Sequence, residues 1–176
     1  KIEYLDRELK QILEDAFYVE SKIGKEFVLL NMLKIQYIKA RDGKMAWREA
    51  MKAASEDLIR DGYFDERYVR EAIGNVEEYG SYIIVNKGIA LAHARKESGV
   101  YEDGLSLLVS KDGILFDEGE TVHLLFFFSQ KGETDYLDLF KEIIKLGKDQ
   151  NDVDRIRNLT DSMEIYRTMW EILSRK

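Results

Sequence analysis

Chemistry at neutral pH needs a group that can change partners there, and this 176-residue chain offers two histidines and no cysteine. His93 stands in a run of small residues, Gly88-Ile89-Ala90-Leu91-Ala92-His93-Ala94-Arg95, where bulky neighbours do not shield its ring. A neutral imidazole nitrogen is a nucleophile able to attack phosphorus. A carbonyl or other acceptor holding Nδ1–H would leave Nε2 as that nitrogen. Spacing alone also describes a structural histidine at a strand end, which is the commoner case.

Arg95 would lie on the side of His93 in extended chain and offer a charged fork to phosphoryl oxygens; a surface ion pair is the competing role. Ser98, with Gly99, forms a rim whose backbone N–H groups could meet an anion, or a plain turn. His123 opens the most apolar segment and reads as a core or edge residue before a ligand. Two histidines without cysteine or an HExxH spacing disfavour a metal site. No GxxxxGK[ST] loop is present, so phosphate would have to arrive on a partner, with no cofactor bound.

Composition narrows the classes further. A net charge of −7 argues against a nucleic-acid backbone binder. The absence of Cys excludes disulfides, thiolate nucleophiles and sulfur-bound zinc. The longest apolar run, Leu124 to Phe128, is far too short to span a bilayer, and Lys1-Ile2-Glu3 begins no signal segment, so a soluble cytoplasmic protein without membrane insertion is expected. Because the first residue is not Met, a piece of a longer polypeptide is expected. The chain also lacks proline, for which composition offers no physical account.

The elements that would position these residues follow from periodicity. Leu5, Leu9, Ile12, Leu13, Ala16 and Phe17 predict an amphipathic helix from Tyr4 to Ser21, broken at Gly24. Residues 1–30 then read as a helix and linker, and 31–176 as the domain. Phe27 to Leu30 suggests a short helix leading to a strand near Ile35 to Ile38. Arg41 to Lys44 reads as a turn. Met45 to Asp61 reads as a helix burying Trp47, Ala50, Met51, Ala54 and Leu58 and stopping at Gly62. Asp65 caps a helix carrying Tyr68, Val69, Ala72 and Ile73. Strands are predicted at Tyr82 to Val85, Leu105 to Ser110, Ile114 to Phe116 and Val122 to Ser129, with Lys111-Asp112-Gly113 as a hairpin turn. Thr134 opens a helix closed by Gly147, and the tail forms two more, with Asp161 and Glu164 at capping-box spacing. The expected fold is α/β: one mixed sheet of roughly four to six strands sandwiched by helices.

Asn75-Val76-Glu77-Glu78-Tyr79-Gly80-Ser81-Tyr82-Ile83-Ile84, leading to Gly88 through Arg95, resembles the active-site signature of the type-2 enzyme IIA domains of the phosphoenolpyruvate-dependent sugar phosphotransferase system, in their ascorbate, mannitol and fructose branch. Trp47-Arg48-Glu49-Ala50, Val122 to Phe128 and Tyr136-Leu137-Asp138-Leu139 extend the likeness across Ile35 to Leu173. The resemblance implies that His93 is phosphorylated by the carrier protein HPr and passes the group to a cysteine of an enzyme IIB domain. Arg95, Tyr136, His123 and Ser98 become the candidates to stabilise the phosphoryl group. Family domains also end transcription antiterminators and regulators, and that setting is the one expected here; the alternative is an interaction or signalling domain that keeps the fold without efficient transfer. Ala92 stands where the family usually has Pro, and Tyr136 where it tends to have a second histidine.

Overall fold

The computed structural model describes residues 8–12 and 27–175. Residues 8–12 are helical; the rest of the expected Tyr4 to Ser21 helix and its break at Gly24 lie outside the described residues. From Phe27 the chain forms α1 (Val28–Met32), a 3-10 turn (Ile35–Tyr37), β1 (Ile38–Arg41), β2 (Met45–Ala46), α2 (Trp47–Arg60), α3 (Glu66–Tyr79) and β3 (Ile84–Asn86). It continues with β4 (Ile89–Ala92), β5 (Gly104–Leu115), β6 (Thr121–Ser129), α4 (Leu137–Leu146), α5 (Gln150–Arg157) and α6 (Ser162–Leu173).

The strands make one six-stranded sheet in the order β1-β5-β6-β4-β3, with β2 also on β5. β5 and β6 pair antiparallel through Leu108 and Leu125, while β1 runs parallel to β5 and β4 parallel to β6. Leu107, Leu108, Val109 and Leu124 through Phe127 are fully buried, the outcome expected of continuous apolar strands covered on both faces. Helices α2 and α5 pack on β5 and β6, and α6 on β1, completing the mixed α/β sandwich.

Helix α2 buries the five residues its spacing selected, Trp47, Ala50, Met51, Ala54 and Leu58. Its first two expected residues, Met45 and Ala46, instead pair with Ile114 and Leu115 as β2. Asp65 caps α3 by accepting the Arg67 N–H, and Asp161 caps α6 by accepting that of Met163. Thr134 does not open α4: the helix starts at Leu137, whose N–H is taken by Asp135. The Glu142 carboxylate accepts the N–H groups of Val28 and Leu29 and so ties α1 to α4; burial raises its pKa.

Lys111-Asp112-Gly113 is not a hairpin turn. The two predicted strands around it are one strand, β5, and the register shifts between Val109 and Ile114 as a bulge. Gly113 has φ +113° there, and its N–H reaches Ser110 Oγ at 3.0 Å. A Cβ on Gly113 would stand 2.5 Å from Thr121 Cγ2. The chain reverses instead between Phe116 and Glu120, which share a backbone hydrogen bond of 3.0 Å. The strand expected at Tyr82 to Val85 begins two residues later, because Ser81 to Ile84 form a turn closed by Ile84 N–H on Ser81 O. Within the histidine stretch, Ile89–Ala92 form a strand, β4, and His93 lies just past its end. Among the described residues no helix is long and apolar enough to cross a membrane.

Candidate functional site

β4 is an interior strand between β6 and β3, and Ile89, Ala90 and Ala92 are fully buried with Leu91 nearly so. Small residues at positions 90 and 92 let its neighbours close over it. Gly88 starts the strand in a left-handed turn, φ +83°, and its carbonyl accepts from both His123 N and Leu124 N. His93 is the first residue beyond the strand's end. Its backbone therefore leaves a fixed platform.

His93 Nδ1 lies 3.0 Å from the Leu91 carbonyl oxygen. A carbonyl only accepts, so Nδ1 carries the hydrogen, and in the neutral ring the lone pair belongs to Nε2. The Tyr82 ring meets the imidazole edge to face at 6.0 Å, and Tyr79 meets Tyr82 in the same manner at 6.3 Å. Asn75 hydrogen-bonds the Tyr82 hydroxyl, whose pKa burial raises. On the other side, Ala94 N–H donates to Tyr68 Oη at 3.1 Å, and Tyr68 donates in turn to Phe128 O at 2.5 Å. Tyr68 is 1 % exposed, and desolvation pushes its phenol up to about 12.

His93 lines a cleft of about 630 Å³ with Lys96, Gln130, Thr134, Phe140 and Ile144 among its walls. Lys96, from the turn after β4, is ion-paired with Glu133 in the loop after β6. An imidazole held through Nδ1, lining a largely apolar cleft together with the Lys96 ammonium, is an arrangement suited to accept an anionic, electrophilic centre.

The other sequence candidates are not gathered here. Arg95 binds Glu71 through Nε at 2.6 Å, is 80 % exposed and does not line the cleft. Ser98 sits in a turn, its N–H on Arg95 O, and is likewise outside the lining. His123 is at the far end of the β4–β6 pair, roughly 16 Å along the strands from His93 by the register. Its Nδ1 is 2.8 Å from Ser110 O and its Nε2 3.4 Å from Arg157 Nη1, on the β5 bulge. Tyr136 packs edge-on against Phe128 at 5.1 Å and donates its hydroxyl to Asp103; burial, then Asp103, raises its pKa to about 12.

Sequence reasoning passed over Tyr68, Tyr82 and Lys96. Tyr68 reads as part of an apolar helix face, where its polar tip is the signal: a buried phenol needs a partner. Lys96 stands three residues after His93, but only the fold brings it to the same cleft.

Residues 31–171 match the family described as the phosphoenolpyruvate-dependent sugar phosphotransferase system, EIIA 2. The ascorbate-specific PTS system EIIA component of Escherichia coli K12 is 27 % identical over 122 residues, covering 68 % of this chain and 79 % of that protein. The Streptococcus mutans structure designated PTS IIA (PtxA) superposes with a TM-score of 0.71 at 27 % identity, covering 80 % of this chain and 90 % of that one. An Escherichia coli mannitol enzyme IIA, solved in complex with phosphorylated enzyme IIB, shares the fold with a TM-score of 0.65 at 18 % identity, over 78 % of this chain and 97 % of its own. With the family match spanning most of the chain and the histidine stretch inside it, the protein belongs to the type-2 EIIA family of the phosphoenolpyruvate-dependent sugar phosphotransferase system.

Proposed function

We propose that this chain is a phosphoryl carrier, in which His93 accepts a phosphoryl group from phospho-HPr and hands it to the cysteine of an enzyme IIB domain. The observation that carries the reading is the 3.0 Å contact from His93 Nδ1 to Leu91 O, at the edge of an open cleft. It fixes the ring and reserves the Nε2 lone pair. Nε2 attacks phosphorus as the donor's P–N bond breaks, and that electron pair returns to the donor nitrogen. The phosphorylated ring is a cation, which the Leu91 carbonyl stabilises through Nδ1–H. A thiolate then displaces the neutral imidazole. Positioning and charge balance supply the catalysis, as in other phosphoryl transfers.

The test supplies phosphoenolpyruvate, enzyme I and HPr to the full chain and measures acid-labile phosphate. Label on wild type and none on His93→Ala is expected; an unlabelled wild type, or label retained by His93→Ala, overturns the assignment.

A second reading, an interaction domain with inefficient transfer, is favoured by one observation: Arg95 and Tyr136 are committed to Glu71 and Asp103. Binding of a IIB domain without phosphorylation would support it. The setting within a transcription regulator concerns the consequence of phosphorylation, not its chemistry, and RNA-binding or helix-turn-helix regions in the full gene product would support it.

A further inference from the structure

The cleft beside His93 has a charge arrangement of its own. Lys96 is the one lysine or arginine among its described lining residues. Its Nζ pairs with Glu133 and lies 3.4 Å from Gly132 O, so one cation ties the turn after β4 to the loop after β6. The two partners are unequal: the Lys96 side chain is 33 % exposed and that of Glu133 89 %. Water and salt screen so exposed a carboxylate, and it competes weakly for the ammonium. Arg95, the other cation near His93 in sequence, is taken by Glu71, which is only 18 % exposed.

We propose that Lys96 is the phosphoryl-binding cation of this domain and that Glu133 is its resting counter-ion, displaced when His93 is phosphorylated. The inference rests on His93 being the phosphoacceptor. A phosphoryl group presents up to two negative charges on three oxygens, and outcompetes a solvated carboxylate for an ammonium lining the same cleft. A lysine suits the exchange, being a point charge with three donors on a flexible four-carbon stem. No proton moves in the step. Lys96 stays an ammonium throughout, leaving Glu133 as the new N–P bond forms and returning to it when the phosphoryl group departs. Glu133 thereby balances the Lys96 charge while His93 is unphosphorylated; the position of Lys96 in the cleft comes from the turn after β4 and from its contact with Gly132 O.

The experiment compares the rate of His93 phosphorylation by phospho-HPr in the full chain and in Lys96→Met, Lys96→Arg and Glu133→Gln. Lys96→Met is expected to slow it about tenfold to a hundredfold, the range for losing a charged hydrogen bond. Lys96→Arg should keep most of the rate. Glu133→Gln should raise the rate severalfold, because it removes the competitor for the ammonium while leaving the cation in place. A purely structural tie across the cleft predicts the opposite for Glu133→Gln, a loss parallel to that of Lys96→Met, and that outcome overturns the proposal. Unchanged rates in a labelled wild type and Lys96→Met also overturn it while leaving His93 as the acceptor. An unlabelled wild type removes both.

Discussion

Replacing Tyr68 by Phe deletes one oxygen from the most connected buried hydroxyl beside the site. That oxygen accepts from Ala94 N–H at 3.1 Å and donates to Phe128 O at 2.5 Å, joining the residue after His93 to the end of β6. The ring would keep its contacts with Phe64 at 4.9 Å and Phe127 at 5.9 Å, so little apolar burial is lost. The cost is that of stranded polar groups, about 1–3 kcal/mol for each one left buried without a partner. Phe128 is only 6 % exposed, which leaves its carbonyl little water to replace the phenol. Ala94 borders the cleft, where its N–H can regain solvent at lower cost. The sum is about 2 kcal/mol, with a fall in Tm of roughly 4–8 °C for a domain of this size. Urea denaturation followed by circular dichroism should show the lower midpoint with an unchanged slope. A loss below about 0.5 kcal/mol would refute the reasoning, since it would mean that neither group depends on this hydroxyl.

Two further outcomes follow from the same structure. Tyr68 and Tyr136 have phenols pushed up to about 12, against an ordinary value near 10 in the unfolded chain. Stability from this source is therefore complete below pH 10 and is lost as pH rises from 10 through 12; urea midpoints and phenolate absorbance measured together across that window should show unfolding coincident with the late-titrating tyrosines. Gly113→Ala places a side chain at φ +113° and 2.5 Å from Thr121 Cγ2, and should cost about 2 kcal/mol by thermal denaturation, with Thr121→Ser relieving only the steric part.

Helix α2 was legible because a long 3.6-residue period survives any tertiary context, and its buried face is the one the spacing selected. The β6 run was legible for a related reason: eight nearly continuous apolar or small residues have nowhere to go but a strand covered on both faces. Lys111-Asp112-Gly113 misled because a bulge and a hairpin turn ask for the same residues, a glycine at positive φ beside short polar side chains. The distinction lies in Met45 and Ala46, which pair with the continued strand and are invisible to a local reading. β4 escaped detection because four small or aliphatic residues buried all round show no alternation.

At the site, spacing marks His93 as an accessible imidazole without separating a nucleophile from a structural histidine, and only the family resemblance singles it out. What could not be read was which cation would line the His93 cleft. Arg95 is two residues from His93 yet turned to Glu71 on α3, whereas Lys96 is one residue further and lines the cleft. That choice is made by residues 24 and 37 positions away. Tyr136 shows the same dependence, since Asp103, just before β5, claims its hydroxyl.

The mounting of His93 on an interior strand has a consequence in time. The β4 amides, hydrogen-bonded between β6 and β3, should exchange with deuterium only when the whole domain opens, while the turn at residues 95–99 exchanges from the native state. A ring anchored to such a strand does not have to be assembled at each encounter. Under the proposed carrier role, the clock would then be set by the arrival and departure of the donor and acceptor proteins.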